Sequence, residues 1–66
     1  MATQVLRLPQ VLALTGLSRS TVYSLIDEHR FPKQVKLSER AAGWVASDVE
    51  RWLNERIQAS RERIAA

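Results

Sequence analysis

His29 is the single histidine in this chain of 66 residues, and there is no cysteine. A serine or threonine nucleophile needs a base beside it and a third group to orient that base. Only His29 could serve as the base, and no hydroxyl stands at a spacing that dictates a partnership with it. Asp27 and Glu28 are adjacent, and adjacent residues do not face each other on a helix, so they form no acid–base dyad. One histidine and no cysteine exclude a disulfide framework and zinc sites of the usual Cys/His kinds. No glycine-rich segment offers a phosphate cradle. The chain is expected to be no enzyme and to need no cofactor.

The side chains with recognition chemistry lie further along. On a wheel of 100° per residue, Ser20, Tyr23, Ser24 and Asp27 oppose the apolar Val22, Leu25 and Ile26, with Arg19 and Thr21 flanking at the start. A helix laid in the major groove presents its N-terminal residues to base edges, and that end also favours phosphate. Arg19 can fork to a guanine or a phosphate, serine and threonine can bond either kind of group, and the Tyr23 hydroxyl can reach the backbone. Hydroxyls at a helix start also serve as caps. Ser18 is assigned that role, whereas Ser20 and Ser24 face outward past it and are expected to contact DNA. Asp27 would repel phosphate and is expected beyond the groove. Lys36 and Arg40 either anchor phosphates or belong to a solvated rim.

Charge leans the same way. Ten Lys and Arg against seven Asp and Glu give a net charge of +3. Through Ala46 there are six basic residues (Arg7, Arg19, Arg30, Lys33, Lys36, Arg40) and three acidic ones (Asp27, Glu28, Glu39), a difference of +3, and the remainder is balanced at four of each. All the excess therefore sits in the first two thirds, which suits a polyanionic partner.

These residues need a scaffold, and the length allows one small domain over 1–66, since domains rarely fall below about 50 residues. An apolar fraction of 45% and a charged fraction of 26% are those of a self-folding globular chain. Pro9 and Gly16 bracket a first helix over 9–15, with Leu8, Val11 and Leu12 on one face and Leu14 and Leu17 as candidates for a second contact. Ser18 caps a second helix over 19–29. So short a link makes 9–29 a helix-turn-helix, a corner that purely structural proteins also use. Phe31-Pro32 stops it. Gln34-Val35-Lys36-Leu37 alternates as a strand with Val35 and Leu37 inward and Gln34 and Lys36 outward. A five-residue loop over 38–42 with Arg40 near its tip leads to the returning strand Gly43-Trp44-Val45.

The two strands form a wing over about 33–46, and the fold class is mainly α with a small two-stranded wing. Ser47 is predicted to cap a third helix over about 48–63, with Glu50 completing a capping box and Asp48 at the positive helix end. Its inward stripe is Val49, Trp52, Leu53 and Ile57. Past Ile57 only Ile64 is a large apolar residue, so the last turns fray or meet a partner. Trp44 and Trp52 fall on inward faces and are expected to be core rather than stacking platforms for bases. Met1 to Gln4 carries no basic lead into an apolar run, and Arg7 and Pro9 interrupt Val5 to Leu8. No signal peptide, membrane span or membrane partner is therefore expected, and the cytoplasm, with the nucleoid, is the expected location.

Arg7-Leu8-Pro9, Val11, the run from Thr15 to Tyr23, Phe31-Pro32, Leu37-Ser38 with Arg40, and Gly43-Trp44 together resemble the AlpA family of small phage and prophage regulators. The likeness covers roughly residues 6 to 57, and excisionases and the DNA-binding domains of MerR-type regulators look similar. The resemblance implies a winged helix-turn-helix of the MerR/excisionase type that binds duplex DNA, with the second helix in the major groove and the wing along the backbone or minor groove. It implies contacts from Arg19, Ser20, Thr21, Tyr23 and Ser24 in the helix and from Lys36, Ser38 and Arg40 in the wing. Family sequences often carry glycine where His29 stands, and MerR regulators carry a long dimerisation helix and an effector domain, against which this sequence sets at most the short tail to Ala66, so the resemblance does not imply a small-molecule or metal sensor.

The expected function is sequence-specific transcriptional regulation of a phage or other mobile element. An excisionase-like architectural role is the alternative within DNA binding, and an adaptor that docks a partner through its C-terminal helix is the alternative outside it. A single module of this kind buries only about 600–1,000 Å², so further copies on adjacent sites are expected. RNA polymerase or a recombinase are the other candidate partners.

Overall fold

Arg7 adopts extended backbone (φ −88°, ψ 166°), and its N–H donates to Gln10 Oε1 at 2.8 Å, closing the start of helix α1, Leu8–Thr15. Pro9 stands in the first turn, where its missing N–H is not needed. The helix ends at Gly16, which takes the left-handed conformation (φ 75°) and donates its N–H to Leu12 O at 2.8 Å. Ser18 then caps helix α2, Arg19–Asp27, its Oγ accepting from the Thr21 N–H at 3.3 Å. The computed structural model describes residues 4–65, so residues 1–3 and the side chain of Ile64, on which the expectation about the tail partly rested, lie outside the described part.

Helix α2 stops two residues short of the predicted 29. His29 N–H donates to Ile26 O at 3.0 Å and Arg30 N–H to Leu25 O at 2.8 Å, a Schellman closure with His29 in the left-handed position at φ 59°. Glycine is favoured at such a position because a Cβ is disfavoured there. His29→Gly is expected to stabilise the fold by about 1 kcal/mol, raising Tm by about 4–8 °C in thermal unfolding. An unchanged or lower Tm would contradict the strain assigned to this residue.

Three strands follow the helices in space: β1, Val5–Leu6, β2, Val35–Ser38, and β3, Ala41–Val45. They form an antiparallel sheet in the order β1-β3-β2. The sequence predicts two strands, and β1 is the addition, since two residues are too few to display a period of two. The predicted five-residue loop is a two-residue turn, Glu39-Arg40, because β3 begins at Ala41. Two-residue hairpins favour turns with positive φ, yet neither turn residue has one. The pairing beside the turn carries an irregularity between Lys36 and Ser38.

The hairpin faces the opposite way from the sequence expectation. Leu6 pairs with Trp44 and both are buried, which defines the core face of the sheet. Ala42 lies two residues before Trp44 on the same face, and its partner Lys36 shares it. Val35, paired with Gly43, is therefore on the outer face with Val5 and Val45. Val35 and Leu37, expected inward, are 38% and 50% exposed.

Helix α3, Ala46–Ala65, begins two residues earlier than expected, which places Ser47 inside its first turn rather than before it. Asp48 in that turn and Arg63 in the last complement the helix dipole. The core gathers Leu6, Val11, Val22, Phe31, Trp44 and Val49, with Leu8, Leu12, Leu17, Leu25, Ile26 and Trp52 packed around it. Leu14 and Ile57 stay outside it at 44% and 40% exposure, the latter against the predicted stripe. Both tryptophans hold the link between α2 and the hairpin: Trp44 Nε1 donates to Pro32 O at 3.0 Å and Trp52 Nε1 to Arg30 O at 2.6 Å. Phe31 between them meets Trp52 edge to face at 4.7 Å.

Candidate nucleic-acid interface

Helix α2 buries Val22 completely and Leu25 and Ile26 in part, so its opposite face is fixed outward. Arg19, Ser20, Tyr23, Ser24 and Asp27 are all exposed on or beside that face, Tyr23 at 40%. Thr21 is exposed too, but its hydroxyl lies 2.9 Å from Ser18 Oγ and its N–H is bound to the same oxygen. Thr21 thus belongs at least in part to the helix cap. Capping locks the first turn of α2 and so fixes the direction in which Arg19 and Ser20 leave it. A second link holds the turn between the helices: Thr15 Oγ1 donates to Val11 O at 2.8 Å and accepts from Leu17 N–H at 3.2 Å.

Lys36 and Ser38 are exposed on β2, and Arg40 is exposed in the turn. An open hollow is lined by Gln34, Lys36, Ser38, Glu39 and Arg40. Residues 33–40 carry Lys33, Lys36 and Arg40 against Glu39, a local charge of +2. A second open hollow, of about 400 Å³, is lined by Arg7, Tyr23 and Gln34 over a floor that includes Ala42 and Trp44. The two hollows share Gln34 and Ala42 and so adjoin, one reaching Tyr23 on α2 and the other Arg40 in the hairpin turn. Arg19, Ser20, Thr21 and Ser24 are exposed on α2 and line neither hollow.

Two residues join this surface that the sequence did not single out as contacts. Gln34 lines both hollows, and Arg7, at the cap of α1, lines the second of them together with Tyr23. Arg7 stands before α1 and Gln34 just before β2, and the fold brings both to one hollow with Tyr23. Among the described residues no three of His, Cys, Asp and Glu cluster as a metal site would need, and no helix is long and apolar enough to cross a membrane.

Three helices on a three-stranded antiparallel sheet, with a polar helix face beside a basic hairpin, place the chain among small helix-and-hairpin domains. Residues 4–57 match the family described as prophage CP4-57 regulatory protein (AlpA). The chain belongs to this AlpA family. The uncharacterized protein ORF88 of Enterobacteria phage P4 is 48% identical over 58 residues, which are 88% of this chain and 65% of that protein, so the chain spans about two thirds of that relative. The DNA-binding transcriptional activator AlpA of Escherichia coli (strain K12) is 33% identical over 63 residues, covering 86% of this chain and 90% of that protein. No solved structure gives a significant match.

Proposed function

We propose that this chain is a sequence-specific duplex-DNA-binding transcriptional regulator of a phage or other mobile element. It acts as a single winged helix-turn-helix domain: α2 enters the major groove, and the β2–β3 hairpin is the wing that rests on the sugar–phosphate backbone. The observation that carries the proposal is the exposed polar face of α2, whose Tyr23 shares a hollow with Gln34 that adjoins the hollow of the basic hairpin. Membership of a family of prophage regulators supports it, as does similarity to a relative named as a DNA-binding transcriptional activator. Arg19, Ser20, Thr21, Tyr23 and Ser24 supply the groove contacts, and Lys36, Ser38 and Arg40 the backbone contacts. One module of this size buries too little surface for tight binding alone, so further copies on neighbouring sites add the missing affinity. The function needs no cofactor and no catalytic step.

Two substitutions separate base reading from backbone anchoring. Arg19→Ala is expected to weaken specific binding by about 1–3 kcal/mol and to leave random-duplex binding much less affected. Equal affinity of the folded variant and its parent for the specific site would remove Arg19 from the contact set. Arg40→Ala is expected to weaken binding to all duplexes alike and to reduce the salt slope by about one unit, read from titrations at several salt concentrations. A loss confined to one sequence would contradict a backbone role for the hairpin tip.

A further inference from the structure

We infer that Arg7, Tyr23 and Gln34 together seat one backbone phosphate of the duplex, at the junction of α1, α2 and the hairpin. The inference rests on the DNA-binding function proposed above and adds to it a contact supplied by Arg7, between β1 and α1. Three polar side chains from separate parts of the chain, the cap of α1, helix α2 and the link before β2, line one open hollow together with Ala42 and Trp44. No carboxylate lines it. Arg7 is exposed, and its hydrogen bonds use its backbone: its N–H donates to Gln10 Oε1 at 2.8 Å and its carbonyl accepts from Val11 N–H at 3.0 Å. Among the described residues the ion pair is Arg30 with Glu28, and no protein partner engages the Arg7 guanidinium, the Tyr23 hydroxyl or the Gln34 amide.

What such a site takes follows from its donors. A guanidinium fork, a phenolic O–H and a carboxamide N–H₂ all donate, and a phosphodiester offers two charged oxygens that only accept. The hollow is wide open, which suits a group presented on the outside of a polymer better than a free small anion that must be enclosed. It shares Gln34 and Ala42 with the hollow of Lys36, Ser38, Glu39 and Arg40. A strand backbone leaving the Arg7 seat therefore meets two cations, Lys36 and Arg40, against the single carboxylate of Glu39. The Trp44 indole, tied to Pro32 O, fixes the floor, and the Gln10 side chain fixes the backbone from which Arg7 projects.

The test is a coupling experiment on a duplex taken from the DNA flanking the protein's own gene, with single phosphates replaced one at a time by uncharged methylphosphonates. In the parent protein one replacement is expected to weaken binding about tenfold. In Arg7→Ala the same replacement is expected to have no further effect, while replacements elsewhere weaken both proteins alike. Tyr23→Phe should lose part of the same coupling, and Arg7→Lys, which keeps the charge without the fork, should fall between parent and alanine variant. Parent-like affinity of Arg7→Ala, or additive losses at every phosphate, would overturn the inference and leave the proposed function standing. A parent protein that binds no duplex would remove both. Circular dichroism checks the fold of each variant, and Arg7→Lys and Tyr23→Phe carry the test if the alanine variant melts.

Discussion

Trp44→Ala is expected to leave the chain largely unfolded at physiological temperature. Trp44 is 1% exposed at the centre of the core, and its indole N–H holds Pro32 O at 3.0 Å. Truncating a buried aromatic costs about 3–5 kcal/mol. The carbonyl it abandons in the link between α2 and the hairpin also loses its donor, a further penalty to the extent that water cannot reach it. A domain of this length has about 3–10 kcal/mol of stability in total, so the loss consumes most or all of it. Far-UV circular dichroism against temperature reads the outcome. A cooperative transition within a few degrees of the parent would contradict the central place given to this side chain.

Gly43→Ala is expected to destabilise by about 3 kcal/mol, at the upper end of what an inserted methyl group costs in a packed site. A Cβ on Gly43 would lie 2.6 Å from Val5 Cγ1 and 2.7 Å from Leu6 O. Val5 can turn aside, but Leu6 O is backbone, so β1 must draw away from β3. That loosens the Val5–Val45 and Leu6–Trp44 pairs and the Ala46 N–H bond to Gln4 O at 2.8 Å. The sign is the informative part. An unconstrained glycine inside a strand gains about 0.5–1 kcal/mol on replacement by alanine, because the unfolded chain loses freedom. Chemical denaturation separates the cases, and a neutral or stabilised variant would mean that β1 does not press on β3 as described. Val5→Ala is expected not to rescue it, since the clash with Leu6 O remains.

Helix α2 shows how far sequence alone reaches. The Ser18 cap, the Val22, Leu25 and Ile26 stripe and the polar face of Ser20, Tyr23 and Ser24 all agree, so its outward face follows from periodicity. Its end was less legible, because the Schellman turn uses a histidine in a position that glycine normally announces. The hairpin marks the limit. Alternation through Gln34 to Leu37 reveals a strand but not which side has something to pack against. That side is set by Trp44 pairing with Leu6, on a strand of two residues. Ile57 fails for a related reason: its spacing continues the stripe of Val49 and Leu53, but the body beneath has ended. The meeting of Arg7, Tyr23 and Gln34 was invisible, since it depends on where three elements come to rest rather than on any local pattern.

The proposed mode of binding makes the fold a means of holding one helix face and one hairpin at a fixed angle. The caps at Ser18 and His29 bound the helix, and the two indole N–H groups clasp the segment between it and the hairpin. Loss of either clasp would let the wing swing relative to α2 and so weaken binding without touching a contact residue.

The most direct test of duplex-DNA recognition is a titration of the purified chain against labelled DNA flanking its own gene, with random duplex as competitor, at two salt concentrations. The expected result is binding that survives a large excess of random competitor and weakens by about tenfold or more between about 50 and 200 mM salt. Binding to no duplex at either concentration, or equal affinity for flanking and random DNA, would contradict sequence-specific recognition by α2 and the hairpin.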